Sequence, residues 1–175
     1  MLGIRITLIA LVLVAGSYDL RFRRIPNWVS VSGIVSGFAL NGFLLGMSGL
    51  KASVLGMLLA LCIYVPLYAL RGMGAGDVKL MAAVGAIAGP KQWFLIFVAT
   101  ALIGGLLGLT FVILKKRTLG TLQNLAVIFG ELGRGRLPAM KDARLDFRHP
   151  DSISLPHGTV IALGSLAFLI LNGTS

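Results

Sequence analysis

The chain has 175 residues, of which 57% are hydrophobic, and its formal net charge is +10. A soluble domain of this length has too little interior for so much apolar side chain, so the composition excludes a soluble globular protein and predicts an integral membrane protein. In such a protein, excess positive charge indicates membrane topology and contact with anionic lipid headgroups rather than nucleic acid binding.

Six apolar segments follow one another along the chain, which predicts an all-α, polytopic membrane protein with about six transmembrane helices. In chain order they are residues 2–18, 28–47, 51–70, 78–89, 93–114 and 155–171. At about 1.5 Å per residue, the fourth is too short to cross a hydrocarbon core of about 30 Å upright. We expect it either to begin deep in the membrane, below a recessed glycine-rich loop, or to extend through residues 90–93.

The positive charges predict the orientation. Thirteen of the sixteen lysines and arginines lie in or beside the connections from the first to the second, third to fourth and fifth to sixth segments. Cytoplasmic loops carry such an excess, so both termini are predicted to be extracytoplasmic. An alternative for the N-terminus is a signal peptide, because an apolar run and Ala15-Gly16-Ser17 follow Arg5. The heavier positive charge after that run favours a retained span.

Residues 118–156 form the one long polar stretch, and we predict a cytoplasmic loop within a single membrane-embedded domain, residues 1–175. Apolar residues recur in it at intervals of three and four, which predicts an amphipathic helix on the cytoplasmic membrane surface. These residues are Leu122, Leu125, Phe129 and Leu132. A solvated loop is the alternative.

Acidic residues are scarce. Four of the six lie in the polar stretch: Glu131, Asp142, Asp146 and Asp151. The other two, Asp19 and Asp77, lie at the ends of apolar segments that the charge bias assigns to the cytoplasm. An ionisable group beside lipid is costly and indicates a functional site.

Two carboxylates on one membrane face suggest an aspartyl protease. The ionised carboxylate takes a proton from the attacking water, and the protonated one donates a hydrogen bond to the scissile carbonyl. Taken singly, each residue has an alternative role. Asp77 could be the N-cap of a helix that begins at Val78, and Asp19 could be a surface partner of Arg21 or Arg23.

The sequence gives little indication of a catalytic histidine or of a metal site. His149 and His157 are interpreted as loop or interface residues, and no zinc-type spacing such as H-E-x-x-H occurs. The single cysteine, Cys62, excludes a cysteine metal cluster.

The residues beside the two aspartates are candidate substrate contacts. Gly72, Gly74 and Gly76 permit close approach by another chain, and a glycine-rich loop could pair with an extended substrate. Pro26 fixes the backbone before the second segment, next to Asn27. Lys79 is interpreted as an interface residue whose stem lies along apolar surface.

Both aspartate segments resemble the motifs of the type IV prepilin peptidases, membrane aspartyl proteases of the Gly-x-Gly-Asp type. The first motif is an Asp, five residues, then a hydrophobic residue, Pro and Asn, which here is Asp19 followed by Ile25-Pro26-Asn27. The second motif reads Gly74-Ala75-Gly76-Asp77-Val78-Lys79-Leu80. A looser Pro-x-Gly element before the last helix corresponds to Leu155-Pro156-His157-Gly158.

The resemblance implies that Asp19 and Asp77 are the catalytic pair of a bacterial inner-membrane enzyme. Its substrate would be a prepilin or pseudopilin, cleaved after a Gly on the cytoplasmic side. The resemblance also implies that cleavage needs no metal and no cofactor. Larger members carry an additional region with paired cysteines that N-methylates the product. This chain resembles the short forms that serve tight-adherence (Flp-type) pili, so no methyltransferase activity is expected.

Two other functions are alternatives. A non-catalytic scaffold or small transporter would account for the spans and basic loops but not for the two motifs. An intramembrane aspartyl protease of the presenilin-like type would account for Tyr18-Asp19, although Pro26-Asn27 and the small size favour the prepilin class.

Overall fold

The computed structural model describes residues 2–70, 73–114 and 157–172. This part of the chain is helical, with α1 at Leu2–Phe22, α2 at Asn27–Ala69, α3 at Ala75–Leu114 and α4 at His157–Leu171. The all-α prediction is therefore confirmed for the described residues. The amphipathic helix predicted over Leu122–Leu132 lies outside them.

The two long helices, α2 and α3, each contain a chain reversal at a glycine. Gly46 has φ 61° and Gly89 has φ 74°, values that favour glycine. The Ser53 hydroxyl donates a hydrogen bond of 3.4 Å to the Gly37 carbonyl, 16 residues away. In one straight helix these residues would lie about 24 Å apart. The chain therefore turns back at Gly46, and α2 is a helical hairpin.

The reversal in α3 is visible in the same way. The Trp93 indole N–H donates to the Met81 carbonyl at 3.0 Å, across 12 residues that a straight helix would spread over about 18 Å. The described residues thus contain six helical segments, and the two reversals fall at the ends of the predicted segments 28–47 and 78–89. Three helices, Leu2–Phe22, Asn27–Ala69 and Ala75–Thr110, are long and apolar enough to cross a membrane. Six crossings and the sidedness of the termini stay predictions.

The short fourth segment forms the centre of the bundle. From Asp77 to Ile87 every residue except Lys79 is buried. Both halves of α2 pack against it: a Cβ added to Gly37 would lie 2.7 Å from the Ala86 carbonyl carbon, and one added to Gly56 would overlap the Gly85 carbonyl oxygen. Small residues at helix crossings permit such backbone contact. The segment is apolar on all sides because other helices surround it.

A buried amide completes the reversal at Gly89. Pro90 has no N–H to donate to the Ala86 carbonyl, so the helix before the turn ends with free acceptors. The Asn41 side-chain amide, which is 5% exposed, donates to the Ala86 carbonyl at 3.2 Å and to the Ile87 carbonyl at 3.1 Å. This asparagine therefore joins α2 to the turn in α3.

Helix α4 runs antiparallel to α1 along its whole length. At one end the Thr159 backbone N–H bonds the Asp19 side chain, and at the other the Arg5 guanidinium donates to the Asn172 carbonyl at 3.1 Å. The end of α1 and the beginning of α4 consequently lie at the same end of the bundle, which we name the site end. The beginning of α3 lies there too, because a Cβ added to Gly76 would lie 3.4 Å from the Cβ of Ile25, just after α1.

We predict that Gly85→Ala destabilises the bundle and that Gly105→Ala, on the same helix, does not. A Cβ at Gly85 would lie 2.7 Å from the Gly56 carbonyl carbon, and overpacking of this kind costs about 1–3 kcal/mol. A Cβ at Gly105 meets no described atom within 4 Å, and Ala there should add about 0.5–1 kcal/mol of stability. The measurement is the thermal unfolding midpoint of each purified variant in one detergent. Equal midpoints would contradict the close crossing.

Candidate active site

Asp19 lies one turn before the end of α1, with its side chain directed into the bundle. It is 6% exposed, whereas the neighbouring Arg21, Arg23 and Arg24 are exposed. Its Oδ2 atom accepts a hydrogen bond of 3.1 Å from the Thr159 backbone N–H. In the described structure, this carboxylate is therefore held by the first turn of α4 rather than by a surface arginine.

The first turn of α4 approaches Asp19 closely because residue 158 is a glycine. A Cβ at Gly158 would lie 3.0 Å from Asp19 Oδ2 and 2.9 Å from Ile25 Cδ1. The Thr159 hydroxyl also donates to the Gly16 carbonyl at 3.4 Å. Backbone N–H groups at a helix N-terminus have no partner within the helix and favour a negative charge. The beginning of α4 is thus suited to hold the Asp19 side chain.

Asp77 lies in the first turn of α3 and is 9% exposed. The helix begins at Ala75 rather than at Val78, so Asp77 lies inside the helix and is not its N-cap residue. Its Oδ2 atom accepts a hydrogen bond of 3.2 Å from the Gly74 N–H, and its own N–H donates to the Gly74 carbonyl at 3.2 Å. The side chain therefore satisfies the free N–H group just before the helix.

The structure brings both aspartates to the site end. The Asp77 carboxylate lies within electrostatic range of the Asp19 carboxylate and of the His157 side chain. Tyr64, on the second half of α2, is 3% exposed and also lies within electrostatic range of Asp77. Four helices thus contribute to one cluster of ionisable groups.

The segments that flank the two aspartates are also in contact. The Lys79 ammonium donates a hydrogen bond of 2.9 Å to the Asn27 side-chain oxygen. Pro26 has an extended backbone and precedes α2, and Ile25 packs against Gly76, where an added Cβ would lie 3.4 Å from the Ile25 Cβ. Lys79 and Asn27 therefore link the two motifs.

The glycine-rich segment before Asp77 is accessible from outside the bundle. Gly74 is exposed and Gly76 is half-buried. Gly72 lies outside the described residues. For metal binding, the described residues contain no group of three His, Cys, Asp or Glu side chains that could hold an ion.

Sequence reasoning had not identified Thr159 or Tyr64 as part of this site, and it had interpreted His157 as a loop or interface residue. Thr159 is 140 residues from Asp19 and acts through its backbone N–H, so its side-chain identity carries no signal of that role. The available signal was the looser Pro-x-Gly element before the last helix, because it contains Gly158, which lies next to Thr159 and approaches Asp19 closely.

A family model matches the chain. It is described as the type IV leader peptidase family, and it matches residues 6–109, a range that contains Asp19 and Asp77. No curated protein and no solved structure matches the chain. From the family match, which covers more than half of the sequence, the chain belongs to the type IV leader peptidase family.

Proposed function

We propose that this protein is an aspartic endopeptidase that removes leader peptides from type IV prepilins or pseudopilins, with Asp19 and Asp77 as its catalytic pair. Membership of the family already implies a leader peptidase in the membrane. The observation that carries the residue assignment is the convergence of two buried carboxylates, from α1 and α3, within one ionisable cluster.

The geometry is suited to hydrolysis by a carboxylate pair. Each aspartate uses one oxygen, Oδ2, to accept a backbone N–H, and the described residues donate no hydrogen bond to either Oδ1. One free oxygen would take a proton from water as the water oxygen attacks the scissile carbonyl carbon. The other carboxyl would donate a hydrogen bond to the carbonyl oxygen and later a proton to the leaving amine. The backbone donors orient both side chains for this exchange.

Cleavage on the cytoplasmic face is supported by the charge around the site end. Exposed Arg21, Arg23 and Arg24 follow Asp19 directly, and the basic bias assigns this connection to the cytoplasm. Such residues also suit contact with anionic lipid headgroups. We therefore propose an inner-membrane enzyme whose active site faces the cytoplasm.

A short enzyme of the Flp-type class is the proposed form. The single cysteine, Cys62, is incompatible with the paired cysteines of the larger, methylating members. We propose peptidase activity without N-methyltransferase activity.

The residues proposed to contact the substrate have different surroundings in the structure. Exposed Gly74 and half-buried Gly76 leave room beside Asp77 for an extended substrate backbone. Lys79 and Asn27 bond each other, and Pro26 immediately precedes α2, so we propose that these three residues hold the two motifs in register. Gly72 remains a proposed contact from the sequence motif.

We predict that Asp19→Asn and Asp77→Asn each reduce leader cleavage by about 10²-fold or more, because each removes a group needed for proton transfer. The measurement is cleavage of a co-expressed Flp-type prepilin, followed by gel shift and mass spectrometry at matched membrane levels. Asp142→Asn serves as the control, since Asp142 lies in the polar stretch. Cleavage by both site variants at the wild-type rate would favour the scaffold or transporter function.

A substrate panel tests the class of protease. We predict cleavage of prepilins after the Gly that ends their leader and no cleavage of generic transmembrane helices. The cleavage site is read by mass spectrometry. Cutting within the membrane span of unrelated helices would instead support the presenilin-like alternative.

We predict that Asn27→Ala and Lys79→Ala produce similar, modest losses of kcat/KM, because each breaks the same exposed hydrogen bond, worth about 0.5–1.5 kcal/mol. The double variant should lose little more than either single one, as expected for two residues in direct contact. Lys91→Ala, also at an exposed lysine of α3, is the matched control. Fully additive losses would show that the two side chains act independently.

A further inference from the structure

The connection between α1 and α2, residues 20–28, which we name the basic turn, carries three arginines that the proposed chemistry does not use. Arg21, Arg23 and Arg24 are all exposed. Within the described residues none of them forms an ion pair, and the nearest carboxylate in sequence, Asp19, accepts its hydrogen bond inside the bundle. The described structure therefore has three positive charges at the site end without an acidic partner.

Aromatic side chains join the two helices beside these charges. The Tyr18 ring centre lies 5.8 Å from that of Phe22 in α1 and 6.0 Å from that of Trp28 in α2. The Arg21 guanidinium carbon lies 5.5 Å from the centre of the Phe22 ring, in a cation–π contact. Phe22 and Trp28 are more than half exposed. Tyrosine and tryptophan are enriched at the level of lipid headgroups, so this surface suits the boundary between water and hydrocarbon.

The backbone at Arg23 favours a different residue. Its φ is 50°, and its N–H donates to the Asp19 carbonyl at 2.8 Å, which ends α1 with a left-handed residue. Glycine is usual at such a position, because a Cβ is unfavourable in this conformation. A cation also favours a helix C-terminus, but Arg21 in the last turn already supplies one. The needs of the turn therefore do not explain an arginine here, which indicates a role for its side chain.

We propose that the basic turn binds the phosphate headgroup of an anionic phospholipid. This deepens the lipid contact of the proposed function and rests on the membrane setting given there, but not on the catalytic roles of the aspartates. Guanidinium groups bind phosphate through paired hydrogen bonds. Exposed Leu20 and Phe22 alternate with the arginines in sequence. An acidic peptide would leave these apolar side chains in water, whereas a lipid offers them its acyl chains.

A headgroup at the basic turn would fix the depth of the active site. Asp19 accepts the Arg23 N–H through its carbonyl, and Ile25 packs against both Gly76 and Gly158. The turn is thus in contact with the segments that hold the two aspartates. A bound lipid would keep these segments at the membrane surface, where a leader peptide leaves the lipid.

The first test uses Trp28, because it is exposed in the basic turn whereas the other tryptophan, Trp93, is fully buried. The protein is placed in vesicles of phosphatidylcholine and phosphatidylglycerol, with bromine on the acyl chains of one lipid at a time. At equal mole fraction, brominated phosphatidylglycerol should quench Trp28 more strongly. Trp28→Phe gives the signal of Trp93 alone. Equal quenching by the two brominated lipids in the wild type would overturn the proposal.

Neutral variants test the arginines themselves. Each replacement of an arginine of the basic turn by Gln should lower the relative affinity for phosphatidylglycerol by roughly five-fold. The matched control combines Lys51→Gln and Lys91→Gln, at exposed lysines beside the two glycine reversals. This control should keep the wild-type preference. A loss as large in the control as in the arginine variants would show a general effect of net charge and overturn the proposal.

Arg23→Gly separates lipid binding from stability. Because glycine removes the unfavourable left-handed conformation, the variant should unfold at a higher temperature in a neutral detergent. Its preference for phosphatidylglycerol should nevertheless fall. Arg23→Lys, which keeps both the charge and the strain, should retain most of that preference. An unchanged preference in Arg23→Gly would overturn the proposal.

Two further measurements address other occupants of the basic turn. Inorganic phosphate should remove no more of the preference than sodium chloride at the same ionic strength, and a larger loss would assign a site for soluble anions. A preference that appears only after the four acids of the polar stretch are neutralised would make that stretch the occupant. Either result would overturn the proposal. None of these measurements uses cleavage, so the lipid site and the proposed catalytic pair are tested independently.

Discussion

A carboxylate removed from water must find hydrogen-bond donors, and this requirement organises the site end of the bundle. Backbone N–H groups at helix N-termini are donors without partners in their own helices. Asp19 accepts the N–H of Thr159 at the start of α4, and Asp77 accepts that of Gly74 just before α3. The beginning of α4 must therefore meet the end of α1, whereas Asp77 is held at the beginning of its own helix.

The chain reversals at two glycines allow these helix ends to come together within an apolar bundle. Because the chain turns back at Gly46 and Gly89, the first half of α3 lies between both halves of α2 and its own second half. Direct backbone contact between Gly56 and Gly85 brings the helices close together. Apolar side chains gain little free energy by moving from lipid into a contact between helices. Close packing is therefore a main source of helix association in a membrane. The central position of α3 keeps Asp77 at a defined place at the site end.

The sequence predicted the helical class, the six apolar segments and the two aspartates, because hydropathy and motif spacing are local properties. It did not predict which segment would be central. Residues 78–89 seemed too short for an upright span by length alone, but hydropathy does not distinguish a segment surrounded by helices from one that faces lipid. The contact between Thr159 and Asp19 spans 140 residues and uses the backbone, so no local pattern encodes it. The same limit applies to Asn41, whose partners are carbonyls of α3.

Exposure to water also determines how strongly each positive charge acts on the two carboxylates. Arg21, Arg23 and Arg24 are close to Asp19 in sequence, but they are exposed, and water and salt screen exposed charges strongly. Charges interact more strongly where water is excluded. The three exposed arginines therefore act less on the buried aspartates than their closeness in sequence suggests.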